Sequence, residues 1–249
     1  MLLDGKVSLV TGAGAGIGAA VAHRFAAEGA ILWLNDIDAD ALAAVVEDTG
    51  GSGLAGDASD PEFVSMWVDE AARGHGRIDV LYNNVGVSRS GRIGDLTDDD
   101  WRLQQRLTLD TCFYATRAVI PHMLTGRGGS IVSMSSGAGI GGQYGLGGYA
   151  AAKAGVISLM ETVATEYGDE GIRANSVTPG PTATAPLLAY LDQQEGGVAA
   201  HTADLDLARL TEPEEVAAIV AWLASDESSG ITGTCIRANS RSASRRPRR

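Results

Sequence analysis

The amino-acid sequence predicts an α/β domain built on a parallel sheet. Short apolar runs alternate with helix-length segments along the whole chain, the order that strand–helix–strand units produce. The runs are continuously apolar, as expected of strands buried on both faces. A glycine-rich turn, Gly12–Gly18, joins the first run to the first helix and adds a third indication.

In order, Val7–Val10 is the first strand and Ala19–Glu28 the first helix. Strand Ile31–Asn35, helix Asp38–Thr49 and the short segment Ser52–Ala55 follow. A helix from Pro61 to about Arg73 leads to strand Val80–Asn83. One long helix is expected from Asp98 to Thr125. Then come strand Ser130–Met134, helix Gly148–Tyr167 and strand Ile172–Val177. Helix Glu212–Ala224 and a last strand near Thr234–Ile236 close the series. Thr182–Leu210 shows no clear periodicity, and loops of that length in compact domains are usually functional lids. No repeat or interdomain linker is visible, so residues 1–236 read as a single domain.

The 249 residues suffice for a full core, with 45% hydrophobic and 20% charged residues. No apolar run approaches the ~20 residues that span a bilayer. The N-terminus, Met1 to Lys6, has no basic segment followed by a long apolar one, so no signal peptide is expected. Cys112 and Cys235 are the only cysteines. They make neither a disulfide framework nor a zinc cluster, and they fit a reducing, cytoplasmic setting. No metal-ligand cluster is visible.

The net charge is −12, but the last thirteen residues carry six arginines and no acid. The rest holds 13 basic and 31 acidic residues. A body this acidic repels a phosphate backbone, so nucleic-acid binding by the fold is not expected. Nor is a membrane partner.

Glycines at Gly12, Gly14, Gly16 and Gly18 let the backbone turn tightly and approach a pyrophosphate at the helix N-terminus. The second strand is followed by Asp36. Its carboxylate can accept hydrogen bonds from an adenosine ribose and would repel a 2′-phosphate. Ala13 and Ala15 offer no cation to hold that phosphate. NAD is therefore the expected cofactor, in preference to NADP.

The pattern Thr11-Gly12-Ala13-Gly14-Ala15-Gly16-Ile17-Gly18 resembles that of the short-chain dehydrogenase/reductase family. Asn83-Asn84-Val85-Gly86 is similar to its Asn-Asn-Ala-Gly segment. Tyr149-Ala150-Ala151-Ala152-Lys153 matches its Tyr-x-x-x-Lys signature, with Ser136 at the family's serine position. Pro179-Gly180 followed by Thr184 matches its nicotinamide-side segment. The resemblance spans roughly residues 4 to 236 and implies a Rossmann-like, doubly wound parallel sheet. It implies catalytic roles for Ser136, Tyr149 and Lys153. It assigns Gly12, Gly16, Ile17, Gly18, Asp36, Asp57, Ala58, Asn83, Gly86, Tyr149, Lys153, Pro179, Gly180, Thr182 and Thr184 to cofactor binding. Within that set it places Asp57 at the adenine edge and Asn83 and Gly86 on the adenosine side.

Tyr149 and Lys153 stand four residues apart and share one helix face. A phenol of pKa ~10 is a poor base at neutral pH. The lysine ammonium, with the cationic nicotinamide, favours the phenolate. Tyr149 can then exchange a proton with an alcohol or carbonyl oxygen while hydride passes to or from the nicotinamide. Ser136 would hydrogen-bond the same oxygen. Lys153 would also reach the nicotinamide ribose, as the family implies.

Two departures stand out. The family's helix asparagine, which helps hold a water behind the lysine, is replaced by Thr108. Its hydroxyl donates and accepts but is too short to copy an amide. The family's hydrophobic last strand and Asp-Gly-Gly turn are replaced by Cys235-Ile236 and a basic tail, 237–249. That tail is expected to form no buried strand and to be largely disordered. A basic arm docking on an acidic neighbouring subunit is the alternative, and a nucleic-acid or membrane tether a third. Assembly into the family's usual tetramer, or a dimer, is the property these changes put at stake.

The resemblance implies that Val87–Ser90, Ser136–Tyr144 and the lid 182–210 line the substrate pocket, with Val87, Gln143, Tyr144, Leu187 and Leu188 as candidate contacts. The lid carries Asp192, Glu195, Asp204 and Asp206, with Arg209 its one cation near the end. A small uncharged secondary alcohol or ketone fits better than a phosphorylated or carrier-bound substrate. The expected activity is NAD-dependent interconversion of such an alcohol and its ketone. The alternatives are an NADPH-dependent biosynthetic ketoreductase and a cofactor-binding protein with impaired catalysis.

Overall fold

The computed structural model describes residues 1–126, 128–203, 205 and 207–238. Seven parallel strands form one sheet: β1 (Val7–Thr11), β2 (Ile31–Asp36), β3 (Ser52–Ala55), β4 (Val80–Asn83), β5 (Gly129–Met134), β6 (Ile172–Pro179) and β7 (Cys235–Ala238). Their spatial order is β3-β2-β1-β4-β5-β6-β7. The chain winds outward from β1 through β2 to β3, then crosses back to β4 on the other side of β1. The reversal opens a crevice beyond the strands' carboxyl ends, between β1 and β4, where ligands bind in such sheets.

Period-two alternation sorts the strand residues onto two cores. Val10, Leu34, Tyr82 and Val132 face α1 (Gly16–Ala27), α2 (Ala39–Thr49) and α10 (Pro213–Ala224). Leu9, Leu81 and Ile131 face α3 (Pro61–His75), α5 (Thr111–Thr125) and α7 (Gly147–Tyr167). Helix starts follow local chemistry: Asp38 and Asp60 accept first-turn amides of α2 and α3, and Thr97 caps α4 (Asp98–Gln105).

The expected long helix from Asp98 is broken in register. Between α4 and α5, Arg106–Asp110 forms a π-turn. A short helix, α6 (Gly137–Ile140), follows β5. The lid is not structureless. It holds α8 (Ala185–Leu191) and α9 (Gly197–Thr202), and a bridge between Thr182 and Thr211 closes its base. Asp204 and Asp206 lie outside the described residues.

The tail boundary at residue 237 needs correction. Arg237 and Ala238 belong to β7, which pairs in parallel with β6 from Ser176↔Cys235 to Pro179↔Ala238. Ala238 is buried, and its carbonyl accepts the Gly180 N–H at 2.8 Å. Arg237 does not prevent this, because its side chain falls on the exposed side of the alternation. The expected disorder of the remaining tail concerns 239–249, which lie outside the described residues.

Candidate active site

Backbone geometry builds the first wall of the crevice. Gly12 (φ +64) and Gly16 (φ +56) occupy the left-handed region open to glycine. A Cβ on Gly18 would fall 1.8 Å from the Gly12 carbonyl oxygen, so only hydrogen fits there. No side chain caps α1, and its first turn carries no acid. Its N-terminal amides and positive dipole end are left for an external anion. Asp36, ending β2, accepts the Gly14 N–H at 2.8 Å through Oδ2 and the Asp38 N–H at 3.0 Å through Oδ1. The carboxylate is thereby held against the glycine loop. A cradle without room for a side chain, an uncapped helix start and this carboxylate fit a dinucleotide.

Asn84 ties the second wall to the first. Its Nδ2 donates to the Gly12 carbonyl at 2.9 Å, and its N–H donates to Thr11 Oγ1 at 3.1 Å. Sequence reasoning gave Asn84 no role of its own; its place just past β4, opposite the turn after β1, is the signal. Asn83 behaves otherwise. Its side chain points into the core, where Nδ2 donates to Thr116 Oγ1 (3.1 Å) and Ser133 Oγ (3.0 Å). The expected cofactor contact is thereby corrected for this side chain, leaving only the Asn83 backbone to make one.

The third wall carries the chemistry. Ser136 caps α6, accepting the Ala138 N–H at 3.2 Å. Ser135 donates to the Lys153 carbonyl at 2.8 Å. A Cβ on Gly139 would come within 2.7 Å of the Lys153 carbonyl carbon, so α6 lies directly against α7. This close seat brings Ser136 to Tyr149. Lys153, only 2% exposed, donates from Nζ to the Met134 carbonyl at 2.7 Å. Its Nζ stands 5.7 Å from the Tyr149 ring centroid. It also lies 2.9 Å from where a Cβ on Gly86 would be, so the bare glycine makes room for the ammonium.

Burial pulls the Lys153 ammonium down to about 8, against a smaller opposing pull from Cys112. Burial also raises the Tyr149 phenol, while hydrogen bonding with Ser136 opposes the rise. In the chain alone, desolvation dominates at Tyr149, and Lys153 donates to Met134.

Thr108 lies on the π-turn, 1% exposed. Its hydroxyl accepts the Val87 N–H at 3.2 Å and donates to the Val87 carbonyl at 3.4 Å. It therefore holds the loop after β4, beside Gly86 and Lys153, in place. π-turns inside helices are frequent at functional sites, and here the turn faces the crevice.

Asp57 accepts the Ser59 N–H (2.8 Å) and hydroxyl (2.7 Å), with Arg106 Nη1 3.6 Å away. Burial raises its carboxyl, but the Ser59 bonds and Arg106 outweigh that and hold it below the usual carboxylate range. Ala58 is buried beside it, and half-buried Ile17 packs on the α1 side of the core. Pro179 ends β6. The Thr182 hydroxyl turns back to the Gly180 carbonyl at 3.1 Å. Thr184 brings the lid base over the glycine loop, its Cγ2 3.3 Å from a Cβ position on Gly16.

The substrate candidates are more scattered. Val87 and Leu187 are half-buried, Leu188 and Gln143 exposed, and Tyr144 is 88% exposed. A bridge between Gly91 and Leu146 ties the segment after Val87 to the start of α7. Ile93 lies against Gly147, a neighbour of the site that the sequence did not single out. Among the described residues no group of His, Cys, Asp or Glu could hold a metal ion, and no helix is long and apolar enough to cross a membrane.

A family model described as enoyl-(acyl carrier protein) reductase matches residues 12–240. The 3-oxoacyl-(acyl-carrier-protein) reductase of Thermotoga maritima is 39% identical over 95% of this chain and 97% of its own. Meso-2,3-butanediol dehydrogenase of Serratia marcescens is 38% identical over 95% of this chain and 94% of its own. A solved structure described as a short-chain dehydrogenase/reductase from Burkholderia xenovorans superposes with a TM-score of 0.90 at 35% identity, covering 96% of each chain.

Proposed function

The chain belongs to the short-chain dehydrogenase/reductase family, and on that footing we propose that it uses NAD to interconvert a small secondary alcohol and its ketone. It is an NAD(P)-dependent oxidoreductase of the CH–OH group. The observation that carries the finer proposal is the seating of Ser136, Tyr149 and buried Lys153 together at the carboxyl edge of the sheet.

Bound NAD would supply the hydride acceptor. The turn Gly12–Gly18, with Ile17 packed beneath it, would take the pyrophosphate on the uncapped start of α1. Asp36 would accept from the ribose hydroxyls and repel a 2′-phosphate. Asp57, Ala58, Gly86 and the Asn83 backbone would line the adenosine side. Pro179, Gly180, Thr182 and Thr184 would form the nicotinamide side. Lys153 would hydrogen-bond the nicotinamide ribose. Ser136 Oγ would hold the carbinol oxygen, and Tyr149 Oη would take up or return its proton. A buried phenol starts neutral; a cationic neighbour arriving with the cofactor supplies the charge that favours its ionisation.

The described part of the lid supports an uncharged substrate. Asp192 and Glu195 are exposed there, and Arg209 is already paired with Glu215 at 2.6 Å. Leu187, Leu188 and Tyr144 offer apolar contact. Exposed Trp101 and Phe113, on α4 and α5, support a homo-oligomer, dimer or tetramer. We assign the protein to the cytoplasm on its two unpaired cysteines.

The test is NADH formation by purified protein over a panel of secondary alcohols, with NADP in parallel and Tyr149→Phe as control. Turnover with NAD that falls by roughly 10²- to 10⁴-fold in the variant supports the proposal. Clear preference for NADP would favour a biosynthetic ketoreductase, a reading supported by the acyl-carrier-protein reductase among the relatives. Tight NAD binding without turnover would favour a cofactor-binding protein with impaired catalysis.

A further inference from the structure

Arg106 and Thr108 occupy the same π-turn but hold different loops. Thr108 holds Val87, after β4. Arg106 reaches the loop after β3, where its Nη1 donates to Ser59 Oγ and stands 3.6 Å from Asp57 Oδ2. Ser59 gives both its N–H and its hydroxyl to Asp57 Oδ1. One carboxylate oxygen is therefore committed to Ser59. The other faces the guanidinium beyond direct hydrogen-bond distance and keeps its acceptor capacity. Arg106 thus fixes the orientation of Asp57 in two ways, through Ser59 and through charge.

We propose that Arg106 is a positioning residue for the adenine of the cofactor: it holds Asp57 so that Oδ2 accepts from the 6-amino group. The inference rests on the placement of Asp57 at the adenine edge in the proposed function. It adds a residue that touches neither cofactor nor substrate. Through its companion Thr108, the turn that orients the adenine acceptor also holds the loop after β4 beside Lys153.

The test compares NAD with nicotinamide hypoxanthine dinucleotide, which carries a 6-oxo group, an acceptor, where adenine has its amino donor. Dissociation constants are measured by calorimetry on the full chain, with thermal unfolding as a check on folding. Wild type should prefer NAD by about tenfold, the scale of one hydrogen bond to a charged group. Arg106→Gln should bring that preference down to about threefold or less, and Arg106→Lys should keep most of it, since both side chains are half-exposed and the charge is what Lys retains. A purely structural loss would weaken both dinucleotides equally and leave the ratio unchanged, which overturns the inference. If Asp57→Asn lowers the ratio and Arg106→Gln does not, Arg106 alone is wrong. If wild type shows no preference, or Asp57→Asn leaves it intact, the placement of Asp57 at adenine fails, and this inference with it.

Discussion

The two sides of the crevice are built by different means. On the glycine side, every close distance has a backbone atom at one end: Gly18 against the Gly12 carbonyl, the Gly14 N–H on Asp36, the Gly12 carbonyl under Asn84. On the substrate side, side chains stand in the open, with Tyr144 before α7 88% and Tyr190 in the lid 54% exposed. A wall made of backbone tolerates almost no substitution, because packed main chain has nowhere to move. A wall made of exposed side chains can vary without disturbing the fold. Constancy of cofactor and variety of substrate therefore have separate structural addresses.

The comparison can be broken most severely at Gly18. Gly18→Ala should lower the unfolding free energy by about 3 kcal/mol or more and abolish NAD binding, because overpacking against main chain has little relief. Denaturant unfolding and calorimetry read both effects. A variant that binds NAD normally would show that the loop yields.

Lys153 probes the boundary between the two sides. Its folded pKa, about 8, lies below its ordinary value of 10.5, so the unfolded chain binds more protons between these limits. Its burial therefore costs stability below about pH 8, and the cost fades as pH rises toward 10.5. Lys153→Met should gain about 1–3 kcal/mol at pH 7, a gain that shrinks through that window. Urea unfolding at several pH values checks this, and a gain that is flat with pH would contradict it.

Thr108→Val should cost about 1–2 kcal/mol, since it strips the hydroxyl from Val87 while keeping the shape. It should also lower kcat more than it raises the KM for NAD. Steady-state kinetics and unfolding measure the two together. The smallest effect belongs to the exposed segment between α6 and α7: Tyr144→Ala should change stability by less than about 0.5 kcal/mol. Its KM for an apolar alcohol should rise a few-fold if the ring covers the substrate. A large loss of stability there would erase the contrast between the walls.

The sheet and the glycine turn were legible because each depends on local properties: apolar runs, glycines, an acid after the second strand. The inward direction of the Asn83 side chain is not given by its motif, because motif membership says nothing about direction. Alternation does: Leu81 lies in the α5-side core and Tyr82 in the α1-side core, so Asn83 must face α5 again. The π-turn left no trace in hydrophobic spacing, since a single bulged turn preserves helical character on either side. The last strand runs past the apolar pattern, through Arg237 to Ala238. At the end of a sheet only alternate residues need burial, and Ala238 supplies that. Tyr149 and Lys153 were identified from spacing, but their shifts depend on burial by distant segments, which spacing does not report.

The sheet's first edge, β3, is only four residues long. A strand edge is a template on which another chain can copy its hydrogen bonds, and brevity leaves little to copy. Arg237, exposed on β7, sets a charge on the opposite edge. A large parallel sheet folds slowly and exposes such edges while it forms. The short β3 edge and the charge on β7 are thus a defence against edge-to-edge aggregation, active before any cofactor arrives.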